Sequence, residues 1–406
     1  MSGISTAAWR VLAAVFIVGT VNFMDRALLS IAIPGIRQEF AWTALVAGLA
    51  LSSFLWTYAI SSAVVAPFVD RFGPRRSQAV AMGFWAVSLL WTAATRGFVS
   101  LIGSRALLGV AEAPNQPIAL LSVRSFFPAE HIGFACSVAA ALVVRVGPIM
   151  GFMVGGALIE GLGWRGAFVA LAGLSIAAIP LWLLLYPKVP VRSVASTGGA
   201  AGEAWRFFRY PRFWAVMVGM TANSYIQYLF FTWTPGYLSS LFKTNIMNIG
   251  FMSAAIFGFG VLGNLLGGWG GDMLIRRGYY PMFARKGLIL AGLLLSSPIV
   301  CVTWFDGMVG TLFILSVADF GINVAVPQFW AIITDTAPRH LTATYTGVVN
   351  GVANAGGLAA PILTGFILQA TGSFAMSFGL AGVMLAICGV CWLLCLRRIE
   401  PLYAAE

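Results

Sequence analysis

Six ionisable side chains stand where the surrounding sequence is otherwise apolar. They are Asp25 and Arg26 in NFMDRALLSIAIP, Arg105 and Glu112 in RALLGVAEAPNQP, Arg145 in LVVRVGPIMG, and Asp319 in SVADFGIN. From Val11 to Ile36, Asp25 and Arg26 are the only charged residues. An arginine offers a planar, permanently charged fork that suits a carboxylate. A carboxyl group can hold a proton, and its hold on that proton rises with desolvation and falls beside a cation. The set therefore suits an anion and a proton that take turns, with Arg26 and Arg105 as anion contacts and Asp25 and Glu112 as proton carriers. Bond-making chemistry is not indicated: the sequence contains no H-E-x-x-H, no G-x-S-x-G and no cluster with metal-ligand spacing. No catalytic residue, metal or cofactor is expected, with protons as the coupling ion. His131 and His340 lack ligand spacing, and all five cysteines fall in apolar runs, where Cys388-x-x-Cys391 reads as packing rather than redox chemistry.

Spacing constrains these roles. Arg105 and Glu112 are seven residues apart, so a helix puts them on one face about 10 Å apart along its axis. Pro114 and Pro117 follow and should bend that helix. Asp25 and Arg26 are neighbours, about 100° apart on a helix, so one of them should turn to a partner on another helix. A charge at the centre of a bilayer costs at least about 2.5–3.5 kcal/mol, which requires these groups to face a wet cavity or one another. Asp25 can alternatively brace its own span, at about 9–35, against the span of Arg105, at about 98–122, by pairing with an arginine. Arg145 is either a third anion contact or the neutralising partner of Glu112. Asp319 either couples a second proton or hydrogen-bonds within its own half. Uncharged contacts are expected from Tyr225, Gln227 and Tyr228, from Gln328 and Trp330, and from Asn350 and Asn354, which share a helix face four residues apart.

The elements that must position these residues are membrane helices. The chain has 406 residues, 60% hydrophobic and 9% charged, with mean hydropathy +0.90. Soluble domains carry about 25% charged residues, so this chain cannot cover itself with polar surface and lipid is its solvent. Apolar runs of about 20 residues span a bilayer as helices. Twelve are expected, at approximately 9–35, 43–69, 77–95, 98–122, 132–159, 165–186, 212–241, 248–275, 285–304, 308–334, 341–370 and 374–396. The first is too long for a signal peptide, lacks an A-x-A site and carries two charges, so it is expected to stay as a permanent helix. A polar, Gly/Ser-rich, basic stretch at 187–211 separates a six-span bundle at 1–186 from another at 212–406.

Placing both termini in the cytoplasm puts seventeen of the 24 Lys and Arg on that side, four (Arg37, Arg96, Arg165 and Lys243) outside and three within spans. The positive-inside rule supports that orientation. It also accounts for the net charge of +11 through anionic lipid, without nucleic acid. An internal repeat points the same way. APFVDRFGPRR after span 2 contains Asp70, Arg71, Arg75 and Arg76, and GGWGGDMLIRRG after span 8 contains Asp272, Arg276 and Arg277. The two aspartates are 202 residues apart. Asp70, Arg71, Arg75, Asp272 and Arg276 are expected to gate the cytoplasmic side, and repeated six-helix halves are a common transporter plan.

APFVDRFGPRR resembles the loop signature G-x-x-x-D-R-x-G-R-R of the major facilitator superfamily, with Ala66 in place of the first Gly and Pro74 interrupting the end. Within it, NFMDRALLSIA, WTYAI, RALLGVAEAPNQP and YLFFTWTPGYL, with WAIITDTAP and NGVANAGGLAAPILTGF, resemble the anion:cation symporter family. That family holds bacterial sugar-acid transporters and the animal vesicular glutamate and sialic acid transporters. The resemblance implies an all-α membrane protein of twelve transmembrane helices in two pseudo-symmetric bundles, both termini cytoplasmic, working as a monomer in a bacterial inner membrane. It implies proton-coupled symport of a small organic anion by alternating access. It gives the matching acids and arginines the coupling and binding roles above and makes Tyr58 a substrate contact. Arg145 and Asp319 depart from the family pattern. The rival reading is a proton-coupled antiporter or exporter, suggested by GPIMG at 147–151, although that signature's upstream glycine is Val143 here.

Overall fold

The computed structural model describes residues 4–65, 69, 71–127, 131, 135–188, 204–305, 307–337 and 342–395. Asp70 and His340 lie outside the described residues. Among the described residues the regular structure is entirely helical. The first helices are α1 (Thr6–Phe40), α2 (Ala44–Val64), α3 (Pro74–Ala93), α4 (Phe98–Glu112), α5 (Asn115–Phe126) and α6 (Val143–Leu185). They are followed by α7 (Pro211–Leu241), α8 (Ile246–Arg276), α9 (Pro281–Ser296), α10 (Met308–Thr336), α11 (Thr342–Thr371) and α12 (Ala375–Gly389).

These helices form the twelve expected spans, though not one for one. The pair α4 and α5 is one span interrupted at Ala113–Pro114, where the proline cannot supply a backbone donor. The 43-residue α6 is two spans run together, turning at Gly163 with φ 70° and ψ 168°, a conformation that a β-carbon disfavours. Eight helical stretches among the described residues are individually long and apolar enough to cross a membrane, that 43-residue helix among them. Local signals set the ends. Ser5 accepts a hydrogen bond from the Ala8 amide at the start of α1, and Thr43 accepts from Val46 at the start of α2. A π-helical turn, Ser137–Leu142, feeds directly into α6.

The chain divides into two compact units, Met1–Ala195 with Leu238–Ala254, and Ser196–Tyr237 with Ala255–Glu406. In the first, α1 lies along α6 at van der Waals distance because glycines line the seam. A β-carbon on Gly151 would come within 2.7 Å of the Met24 carbonyl and of the Ala27 β-carbon, and one on Gly147 within 2.9 Å of the Thr20 carbonyl. Likewise α2 closes on α4 where Gly109 faces Phe54 and Thr57, and the Thr57 hydroxyl donates to the Ala106 carbonyl at 2.8 Å. In the second unit Gly260, Gly263, Gly267 and Gly271 of α8 face Asp319, Phe320, Val324 and Gln328 of α10. Small residues that let backbones approach are the usual means of packing helices in lipid.

The repeat is visible in the hydrogen bonds. Arg75 at the start of α3 donates to the Leu183 and Tyr186 carbonyls at the end of α6, at 2.6 and 3.0 Å. Lys286 near the start of α9 donates to the Leu393 carbonyl past the end of α12, at 2.8 Å. Each unit therefore ties off the carbonyl end of its last helix with a cation from its third.

Candidate anion and proton site

In the first unit four of the six charges converge. Arg26 on α1 donates to Glu112 Oε2 at the end of α4, from Nη2 at 2.9 Å and from Nε at 3.3 Å. The Glu112 side chain is sealed from solvent and that of Arg26 is 11% exposed. Arg26 is therefore the neighbour that turns to another helix. Its guanidinium also stacks within 4.5 Å of the Phe23 ring centroid, 4.3 Å of Phe54 and 5.1 Å of Tyr58. Phe54 and Tyr58 are themselves stacked at 5.0 Å. An aromatic cage of this kind holds a guanidinium in one plane while leaving its edge for hydrogen bonding.

Asp25 is fully buried beside the Glu112 carboxyl, with Arg105 and Arg26 in electrostatic range. Neither of its oxygens, nor Glu112 Oε1, has a hydrogen-bond donor among the described residues. Two carboxylates can accept but cannot donate to each other, so one proton between them is what the arrangement lacks. The tight α1–α6 seam fixes this turn of α1, since Gly147 and Gly151 pack against Phe23 and Met24.

Arg105 departs from its expected role as an open fork. It is 1% exposed, donates from Nη2 to the Thr92 hydroxyl of α3 at 2.8 Å and lies over the Phe168 ring at 5.4 Å. Thr92 in turn donates to Ser88 and Ser104 oxygens at 2.9 and 3.0 Å. In this structure Arg105 faces the Asp25–Glu112 pair from inside the bundle and offers no edge to a ligand; its Nε is buried without a partner among the described residues. Arg145 is half-buried just beyond the π-helical turn of α6, while the partner of Glu112 is Arg26.

The second unit sorts its candidates by exposure. Asn350 is exposed, Asn354, Gln227 and Tyr228 are half-buried, and Trp330 is 37% exposed. Tyr225, expected to present a polar edge, is instead buried with its hydroxyl beside Thr364 of α11. It is held there because Gly356 lets α11 approach α7 at Thr221 and Tyr225. Gln328 is buried and donates to the Gly267 carbonyl at 2.8 Å. Asp319 is buried on α10, accepts from Asn323 Nδ2 at 3.1 Å and packs its carboxylate on the Gly260 backbone. Of the turn residues, Asp272, Arg276 and Arg71 are exposed, and Arg75 is engaged by α6 as described.

The sequence matches the model of the Major Facilitator Superfamily over residues 15–361 and 283–405. The chain belongs to this superfamily. It is 28% identical over 403 residues to a protein named probable L-galactonate transporter of Escherichia coli (strain K12), covering 94% of this chain and 88% of the relative. It is also 28% identical over 401 residues to a probable galactarate/D-glucarate transporter of Bacillus subtilis (strain 168), covering 90% and 87%. The fold matches the crystal structure of a bacterial homologue of the human lysosomal transporter Spinster at TM-score 0.84, with 18% identity over 97% of this chain and 98% of that one. The resemblance to sugar-acid transporters and the twelve-helix architecture are thereby borne out. Membership of a superfamily of carriers also answers the enzyme alternative.

Within the superfamily architecture, some functional neighbours escaped sequence reasoning. Phe54 stands four residues before Tyr58 and Phe23 three before Arg26, spacings that place each pair on one helix face; that signal could have found the cage. Thr92 carried no such signal, because its meeting with Arg105 depends on how α3 and α4 pack.

Proposed function

We propose that this protein is a secondary active transporter that carries a small organic anion, of the sugar-acid class, together with protons across a bacterial inner membrane by alternating access. The observation that carries the reading is the pairing of the caged Arg26 with Glu112, beside an Asp25 that has no hydrogen-bond donor among the described residues. A substrate carboxylate arriving at Arg26 competes with Glu112 for the same guanidinium. Glu112, deprived of its cation in a dry site, is neutralised by a proton instead. Arg105, sealed behind the pair, balances the charge that remains on Asp25. Substrate and proton thus load together because either alone leaves an uncompensated buried charge. Tyr58 borders Arg26 and supplies a hydroxyl for substrate. Relatives named as galactonate and galactarate/D-glucarate transporters support the substrate class.

The test is uptake into proteoliposomes, with D-galactonate, L-galactonate and D-glucarate as first substrates. An acid-outside jump should drive substrate inward; outward movement would instead establish antiport. Glu112→Gln should reduce proton-driven accumulation to the level of empty liposomes while counterflow exchange persists. Normal concentrative uptake by that variant would remove Glu112 from the coupling scheme.

A further inference from the structure

Away from the span ends, the first six-helix bundle carries three arginines, Arg26, Arg105 and Arg145, and two acids, Asp25 and Glu112. Arg26 is paired with Glu112, and Arg105 stands in electrostatic range of Asp25. Arg145 is the third cation. It is half-buried, three residues after the π-helical turn Ser137–Leu142, and such turns recur at functional sites. A cation at this depth in a span is too unfavourable to be incidental.

Helical phase places Arg145 relative to Arg26. Helices α1 and α6 run parallel along their seam, since Gly147 meets Thr20 and Phe23 while Gly151 meets Met24 and Ala27. Counting about 100° per residue, Arg26 lies about 110° round α1 from that seam, and Arg145 about 140° round α6 in the opposite rotational sense. For parallel helices, opposite senses put both arginines on the same side of the pair. Met150 and Ala157 are exposed positions of the same span, and they lie about 90° from the seam on the other side. The side that the arginines share is therefore not the one turned outward. Farther along the same face of α6 as Arg145, a β-carbon on Gly156 would come within 3.1 Å of the Ile246 carbonyl at the start of α8, and both segments belong to the first unit. Arg145 thus stands at the inner end of a protein-facing stripe of α6. Arg26 is level with Gly151, six residues beyond Arg145, an offset of about 9 Å along the axis.

We propose that Arg145 is the contact for a second carboxylate, so that the substrate is a sugar diacid bridging Arg26 and Arg145. The inference rests on the symport reading above. In that scheme the loaded carrier has Glu112 neutralised by a proton and Asp25 balanced by Arg105. Arg26 and Arg145 then contribute two positive charges. A dianion cancels both, whereas a monoanion leaves one uncompensated in a dry interior. An extended six-carbon diacid has the length to bridge the axial offset, with an arginine fork at each end.

The test compares D-galactonate with galactarate, which share a six-carbon skeleton and differ at one end, an alcohol in the first and a second carboxylate in the other. Uptake of each is measured with the full chain in proteoliposomes under an acid-outside jump. Wild type should half-saturate with galactarate at a concentration about tenfold or more below that for D-galactonate, as expected for one additional charge-assisted bond. Arg145→Gln should abolish that preference by raising the half-saturation for galactarate relative to D-galactonate. Arg145→Lys, which keeps the charge, should retain most of it. An equal rise in both half-saturations in Arg145→Gln would make Arg145 a structural residue and overturn the proposal, and so would an unchanged ratio. Should neither variant fold, wild type alone decides, because saturation by galactarate no tighter than by D-galactonate overturns the proposal. Wild type that accumulates D-galactonate but not galactarate would overturn the diacid assignment and leave sugar-acid symport standing. Wild type that accumulates neither would overturn both.

Discussion

At the scale of single residues, Arg26 is the group on which the site turns. Its guanidinium makes two bonds to Glu112 and touches three aromatic rings. A lysine would keep the charge but lose the fork and the stacking. Arg26→Lys should therefore raise the half-saturation concentration for substrate by roughly 10–100-fold, the equivalent of a charge-assisted bond of about 1.5–3 kcal/mol. The check is initial-rate uptake at matched protein density, and an unchanged half-saturation would place the anion elsewhere. The charges themselves were legible in the sequence, because an ion in an apolar run is costly enough to need a purpose. That one of the Asp25–Arg26 neighbours must turn to another helix was legible too. The sealing of Arg105 was not: it depends on Thr92 and Phe168, which are 13 and 63 residues away in sequence and meet it only once α3, α4 and α6 are packed. The burial of Tyr225 leaves no trace in the sequence for the same reason, since only the approach of α11 at Gly356 closes it in.

At the scale of elements, span number and approximate span ends follow from length and hydropathy, and the break before Pro114 follows from the proline. The π-helical turn before α6 and the merging of two spans at Gly163 leave no comparable trace, because both are small adjustments of backbone that neighbouring helices stabilise. The α1–α6 seam carries the sharper consequence. At Gly151 a β-carbon would meet backbone atoms of Met24 at 2.7 and 2.9 Å, one residue from Asp25, and backbone cannot swing aside as a long side chain can. Gly151→Ala should cost about 1–3 kcal/mol of stability through overpacking and lower uptake by displacing the Asp25–Arg26 turn. Gly173→Ala, on the same helix with nothing within 4 Å of the added carbon, should change stability by no more than about 0.5 kcal/mol. Thermal unfolding in detergent, run beside uptake on both variants, reads the contrast. Equal behaviour of the two would show that the seam can relax without disturbing the site.

At the scale of the whole molecule, the repeat and the charge distribution speak to the same plan. The loop signatures place the halves 202 residues apart. The cation-to-carbonyl ties place them slightly farther apart, Lys286 with Leu393 answering Arg75 with Leu183. The difference is absorbed by unequal loops between equivalent helices, which is why a sequence offset alone finds the repeat but not its register. Orientation rests on the basic residues, seventeen on one side and four on the other, and this large imbalance should fix the topology in vivo. In a cysteine-free background, Lys243→Cys and Arg277→Cys test it at two exposed turns. A membrane-impermeant maleimide applied to intact cells should label position 243 at once. Position 277 should be labelled only after the inner membrane is opened. The opposite pattern would overturn the orientation read from the basic residues, although proton-coupled uptake would survive it, because a symporter runs with the proton gradient whichever of its faces is cytoplasmic.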